Sequence, residues 1–155
     1  MEYVVFWFRR DLRLEDNAGL YHALQSGFPV IPIFIFDSNI LNSLESKDDP
    51  RVSFIYETIL ELKLQLRSLG SDLLLFYDTP KHAWEKLFSD YRIRSIFSNR
   101  DYEPYAIQRD LEIRQLAQVK QIDFFQYKDQ VIFEQHEVCK DDQTSYTVFK
   151  KKKKK

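Results

Sequence analysis

Three short stretches hold most of the side chains able to recognise a ligand. The first, Arg9-Arg10-Asp11-Leu12-Arg13-Leu14-Glu15-Asp16-Asn17, sets three arginines among three acids. A planar guanidinium suits carboxylates and phosphates, so this run could grip a ligand or a neighbouring domain. It could equally satisfy itself as a salt-bridge cluster that fixes a loop. The second stretch carries Asp37 and Asn39 just past an apolar run. An acid there accepts from ribose hydroxyls or ring N–H groups, or caps the loop. The third, Asn99-Arg100-Asp101-Tyr102-Glu103-Pro104-Tyr105, mixes carboxylates with phenols. Polar groups with aromatic walls suit a planar heteroaromatic ligand, a capped loop before a helix being the plainer account.

Other chemistries lack their parts. His22, His82 and His136 show no nucleophile or metal spacing. The single Cys139 permits no internal disulfide, makes a cysteine zinc site improbable and fits a reducing compartment. Gly19, Gly27 and Gly70 stand too far apart for a phosphate loop or a dinucleotide fingerprint. Trp7 and Trp84 read as core rather than redox wires. The residues describe a binding domain without visible catalytic machinery.

The elements that would position these stretches alternate along the chain. Tyr3–Phe8 and Val30–Phe36 are β-branched and aromatic runs, as expected of strands buried on both faces. Pro32 is awkward in a central strand and suggests an early or irregular position. Asp16 or Asn17 caps a helix over Ala18–Ser26, which Gly27 ends. Asp37–Pro50 is polar and loop-like. Arg51–Leu69 gives the clearest helix, with Ile55, Ile59, Leu62, Leu66 and Leu69 as its stripe and Gly70 as its stop. Leu73–Tyr77 is a strand. Thr79 and Pro80 open a helix over Lys81–Tyr91. Ser95–Ser98, a helix over Tyr105–Val119 with Leu111 and Leu116 inward, and Asp123–Tyr127 complete the pattern. Five alternations predict an α/β fold: a doubly wound, five-stranded parallel sheet with helices on both faces, in Rossmann-like or flavodoxin-like order. Ligands in such sheets sit at the carboxyl ends of the strands, where all three stretches lie.

The 155 residues make one domain, with 44% hydrophobic and 30% charged residues. The net charge of −1 conceals an asymmetry: without the last five lysines, 18 basic residues face 24 acidic ones. An acidic body argues against broad DNA binding by this chain alone. Lys150–Lys155 reads as an appended tail, the alternative being a polybasic arm for nucleic acid or anionic lipid. No apolar run is long enough to span a membrane and strand-like sequence starts at once, so a cytoplasmic location without membrane association is expected.

The quoted motifs resemble those of DNA photolyases and cryptochromes. Phe6-Trp7-Phe8 followed by Arg9 to Asn17 is similar to the family's N-terminal signature. Pro32 to Asp37 with Ile40-Leu41, Asn99 to Tyr105 with Arg109-Asp110, and Tyr146-Thr147-Val148-Phe149 agree in order, so the resemblance covers residues 3 to 149. It implies an N-terminal antenna domain over 1–130, the start of an interdomain segment over 131–149 and an appended tail over 150–155. In such a protein a helical C-terminal domain binds flavin adenine dinucleotide (FAD) and damaged DNA. By resemblance, this chain is the light-harvesting half of a light-driven deoxyribodipyrimidine photolyase, a carbon–carbon lyase, and is not active alone. The alternative is the matching domain of a cryptochrome-like photoreceptor without a working antenna.

The resemblance also points to a pigment. Tyr105 and Ala106 stand where folate-using relatives carry an amide and an acid, so a folate antenna is disfavoured. An 8-hydroxy-5-deazaflavin pigment is favoured, with flavin left open. The implied pocket comprises Phe36, Asp37, Ser38, Arg51, Asp101, Tyr102 and Glu103, with Arg51 neutralising a phenolate-like ring oxygen. Implied partners are the C-terminal domain and, through the whole protein, damaged DNA. Apolar surface facing that domain predicts weak self-association.

Overall fold

The computed structural model describes residues 1–46 and 48–129. Expectations about Cys139, His136, the segment 131–149 and the tail 150–155 lie outside them. The order is β1 (Tyr3–Phe8), α1 (Ala18–Leu24), β2 (Val30–Asp37), α2 (Ser38–Asn42), α3 (Pro50–Ser68), β3 (Leu74–Asp78), α4 (Pro80–Asp90), β4 (Ile93–Asn99), α5 (Pro104–Val119) and β5 (Asp123–Tyr127). All strand pairs are parallel, in the order β3-β2-β1-β4-β5. This is the Rossmann-like order, not the flavodoxin-like one, and its direction reverses between β1 and β4.

Alternate residues of β1 divide the core between the two faces, as the pleat requires. Val4, Phe6 and Phe8 pack with Leu20 of α1 and with Ile59, Leu62 and Leu66 of α3. Val5 and Trp7 pack with Ala83, Trp84 and Leu87 of α4 and with Ile113 and Ala117 of α5. Pro32 is tolerated because β3 pairs with β2 only from Ile33 onward, so Pro32 faces the single neighbour β1.

Several expectations need correction. The Asp37–Pro50 stretch is not all loop: Asp37 Oδ1 accepts from the Asn39 amide at 2.9 Å and caps the short helix α2. The expected stripe of α3 narrows to Ile59, Leu62 and Leu66, while Ile55 and Leu69 are exposed. In α5 the buried residues are Ala106, Asp110, Ile113 and Ala117, Leu116 is half-buried against the same core as expected, and Leu111 is exposed. Asn17, not Asp16, caps α1, because its side chain accepts from the Leu20 amide. Asp16 adopts a left-handed φ of 49° just before it.

Gly19 permits the close approach of α1 to β4. A Cβ there would lie 2.8 Å from Asn99 Oδ1 and 2.9 Å from the Phe6 ring. Gly to Ala within a helix normally stabilises by about 0.5–1 kcal/mol. At Gly19 the sign reverses, and Gly19→Ala is expected to cost about 1–3 kcal/mol through overpacking. Urea unfolding checks this; a raised midpoint would show that α1 is free to move away from β4.

Candidate functional site

A cleft of about 240 Å³ opens at the carboxyl ends of β1 and β2, beside the point where strand order reverses. Trp7 and Phe8 of β1 and Phe34, Ile35 and Phe36 of β2 supply an apolar floor. Ile40 and Leu41 of α2 with Val52 and Ile55 of α3 supply a wall. Exposure of Ile55 follows from this, since it borders the cleft instead of the core. Asp37, Asp101, Glu103, Tyr105 and Arg109 bring the polar groups.

Beneath the cleft lies a buried array of alternating charge. Arg9 Nη1 donates to Asp110 Oδ1, and Arg9 Nη2 donates to the Asn99 carbonyl and, at 3.3 Å, to Ser98 Oγ. Arg109 Nε donates to Asp110 Oδ1 at 3.1 Å, and Arg109 Nη2 stands 3.8 Å from Asp101 Oδ2. All four side chains are less than a tenth exposed. Burial pushes the Arg9 guanidinium below its ordinary pKa, with Asp110 opposing the shift. Arginine's ordinary value is high enough that the group stays charged. Among the described residues, Arg109 Nη2 is a buried donor without a hydrogen-bond acceptor.

The rim is more exposed. Arg10 Nη2 meets Glu103 Oε1 at 2.5 Å, which raises the pKa of Arg10. Tyr105 donates its hydroxyl to Asp37 Oδ2 at 2.5 Å. Burial first, and then this hydrogen bond, hold the Tyr105 phenol above its ordinary pKa.

Of the seven residues implied by resemblance, Phe36, Asp37, Asp101 and Glu103 line the cleft. Ser38 and Tyr102 do not border it. Arg51 is turned away: its guanidinium chelates Asp49 with contacts of 2.6 to 3.1 Å and is largely exposed. That pairing holds the Asp49 carboxyl at about 2. A partner two residues upstream captures the arginine before it can reach the cleft. Sequence reasoning held Tyr105 within the third stretch but missed Trp7 and Arg109 as cleft residues. The signal was there: Tyr105 and Arg109 belong to the third motif, one turn apart on α5. The first stretch does not satisfy itself: Arg9 pairs with Asp110, Arg10 with Glu103 and Arg13 with Asp129 at 2.7 Å, all outside it.

Two outcomes are expected. Asp110→Ala strands two buried cations and should cost about 3–5 kcal/mol, whereas Arg10→Ala at the exposed rim should cost no more than about 1 kcal/mol. Denaturant unfolding of both variants decides; equal costs would place the array in water. Tyr105 should ionise later than an ordinary tyrosine. A raised folded pKa means its stabilising contribution is complete below about pH 10 and is lost as pH climbs through the folded value. Phenolate absorbance of the chain, less that of Tyr105→Phe, reads this; ionisation at or below the ordinary value would refute it.

The family model for DNA photolyase matches residues 4–155. The deoxyribodipyrimidine photo-lyase of Synechococcus is 30% identical over 146 residues, covering 94% of this chain and 30% of that protein. Cryptochrome-1 of Drosophila melanogaster is 32% identical over 126 residues, covering 77% of this chain and 23% of its own length. The archaeal photolyase of Sulfolobus tokodaii, solved with two FAD molecules and with a novel light-harvesting cofactor implied, superposes with a TM-score of 0.74 at 36% identity. That match covers 86% of this chain and 31% of the other. The chain thus spans about a third or less of these relatives. Sequence and fold agree that the chain belongs to the DNA photolyase family, as its N-terminal α/β domain.

Proposed function

We propose that this chain is the light-harvesting domain of a DNA photolyase and holds a planar antenna pigment in the cleft at the ends of β1 and β2. The rest of the protein would bind FAD and damaged DNA and carry out light-driven repair. The observation that carries the reading is the cleft itself: an aromatic floor, an aliphatic wall, and carboxylates of Asp37 and Asp101 at its border. A planar ring would contact the floor through its face, and ring N–H or ribityl O–H groups would donate to the carboxylates.

The residues fit such a ring. The cleft volume of about 240 Å³ lies just below the roughly 300–1,000 Å³ of ligand sites, which suits one ring system and leaves any side chain of the pigment outside. When bound, the pigment would absorb light and pass its excitation energy to the FAD of the other domain. The protein residues position it, exclude water and keep their own protons.

The ring class favoured is 8-hydroxy-5-deazaflavin, with flavin next. With Arg51 held on Asp49, the guanidinium bordering the cleft rim is Arg10, paired with Glu103. That leaves Arg10 to face a ring oxygen. The large apolar side chains Phe54, Leu64 and Leu69 stand in solvent along α3 and its end, which supports weak self-association of this chain in isolation. Among the described residues no helix is long and apolar enough to cross a membrane.

The test is retention. The chain is incubated separately with 8-hydroxy-5-deazaflavin, flavin mononucleotide and a reduced folate, then desalted, and absorbance is recorded. Stoichiometric retention of the deazaflavin or flavin is expected. Asp101→Asn should weaken it by about tenfold, the loss of one charge-assisted hydrogen bond. No retained pigment of any class would end the antenna reading.

A further inference from the structure

Trp7 combines two properties seldom found together. It forms part of the cleft floor, yet it is only 2% exposed and carries two cations over its ring. Arg9 Cζ and Arg109 Cζ each lie 5.0 Å from the ring centroid. We infer that these two guanidiniums silence Trp7 as an electron donor, so that the pigment of the cleft keeps its excited state long enough to pass it on. This rests on the antenna reading above.

The danger is specific to the site. Indole is among the most easily oxidised side chains, and a photoexcited flavin-like ring is an oxidant. One electron passing from Trp7 to that ring leaves the indole one short and the ring one in excess. The electron then returns, both groups recover their ground states, and the absorbed energy is lost as heat. No bond forms or breaks and no further reactant is consumed.

The structure opposes the first step. A positive charge would appear on the indole beside two fixed positive charges, in a volume closed to water, where charges interact strongly. Asp110 and Asp101 partner these arginines, so the four formal charges of the array cancel. The field at the ring then depends on which sign stands nearer, and both guanidiniums stand directly over it. Trp84 meets Trp7 edge to face at 5.4 Å. Silencing Trp7 therefore also isolates the second indole from the cleft. The rival donor is Tyr105 on the rim, whose hydroxyl already donates to Asp37 and could release its proton there.

Time-resolved fluorescence of the pigment-loaded chain, after removal of free pigment, tests the inference. In folded, loaded protein Trp7→Phe alone should not lengthen the lifetime of the bound pigment, because the indole is already silent. Arg109→Gln should shorten it several-fold, and Trp7→Phe combined with Arg109→Gln should restore it. A longer lifetime in Trp7→Phe alone overturns the inference, and this variant decides by itself should Arg109→Gln not fold. An unchanged lifetime in folded, loaded Arg109→Gln overturns it as well. So does a shortening that survives in the double variant and disappears with Tyr105→Phe, which would move the donor to the rim. A chain that retains no pigment fails earlier, in the absorbance measurement, and removes the antenna reading together with this inference.

Discussion

Asp110 is the residue on which the carboxyl edge of the sheet depends. Its Oδ1 receives Arg9 from the end of β1 and Arg109 from its own helix, and its Oδ2 accepts from Gln126 of β5 at 2.7 Å. Arg9 in turn reaches the Asn99 carbonyl at the end of β4. One carboxylate therefore ties β1, β4, β5 and α5 together. Removing such charges from water is costly unless every one is paired, so the members tolerate little relative displacement. Rigidity below the cleft follows directly, because Trp7 is packed against the same two guanidiniums.

A second buried network shares Asn99 with the first. Asn99 Nδ2 donates to Asp11 Oδ2 at 2.5 Å and to Asn17 Oδ1 at 2.8 Å, while Asn17 Nδ2 donates to the carbonyls of Asp11 and Arg13. The loop after β1 is thus shaped by side chains reaching across 80 residues or more of sequence. Networks of this kind hold one geometry when fully satisfied and fail together when one member is lost. The cleft above has no secondary structure of its own at the Asp101 side. It takes its shape from these two networks.

The strands were readable because β-branched and aromatic runs admit few alternatives, and most helices because Asn17, Thr79 and Pro80 mark starts and Gly27 and Gly70, both at positive φ, mark ends. The inward face of α5 was not readable in the same way. Its buried positions 106, 110, 113 and 117 keep helical spacing, but the second is an aspartate, which breaks the apolar stripe and lends Leu111 false weight. Helix α2 escaped because five residues show no period. Of the site, the carboxylates of the loops were legible from residue type and position. The cations were not, since Arg51 is captured by Asp49 through a contact that spacing alone does not reveal, and Arg109 is recruited through its neighbour Asp110.

The start of α1 bears on where a ligand could sit at this edge. In doubly wound sheets the first helix N-terminus offers free amides and a positive dipole end to phosphate. In this chain those amides are taken. Ala18 N donates to Asp129 Oδ1, Gly19 N to Asn99 Oδ1, Leu20 N to Asn17 Oδ1 and Tyr21 N to the Asn17 carbonyl. Gly19 is retained, but its freedom admits the Asn99 side chain and not a phosphate. Among the described residues the polar position at the reversal point is filled by protein, and an opening at this edge is the apolar one over β1 and β2. That opening offers aromatic surface with carboxylate acceptors at its border. Among the described residues the first amides of α1 are thus taken by asparagine and aspartate side chains and a backbone carbonyl, so the planar-ring reading proposed above needs no phosphate grip there.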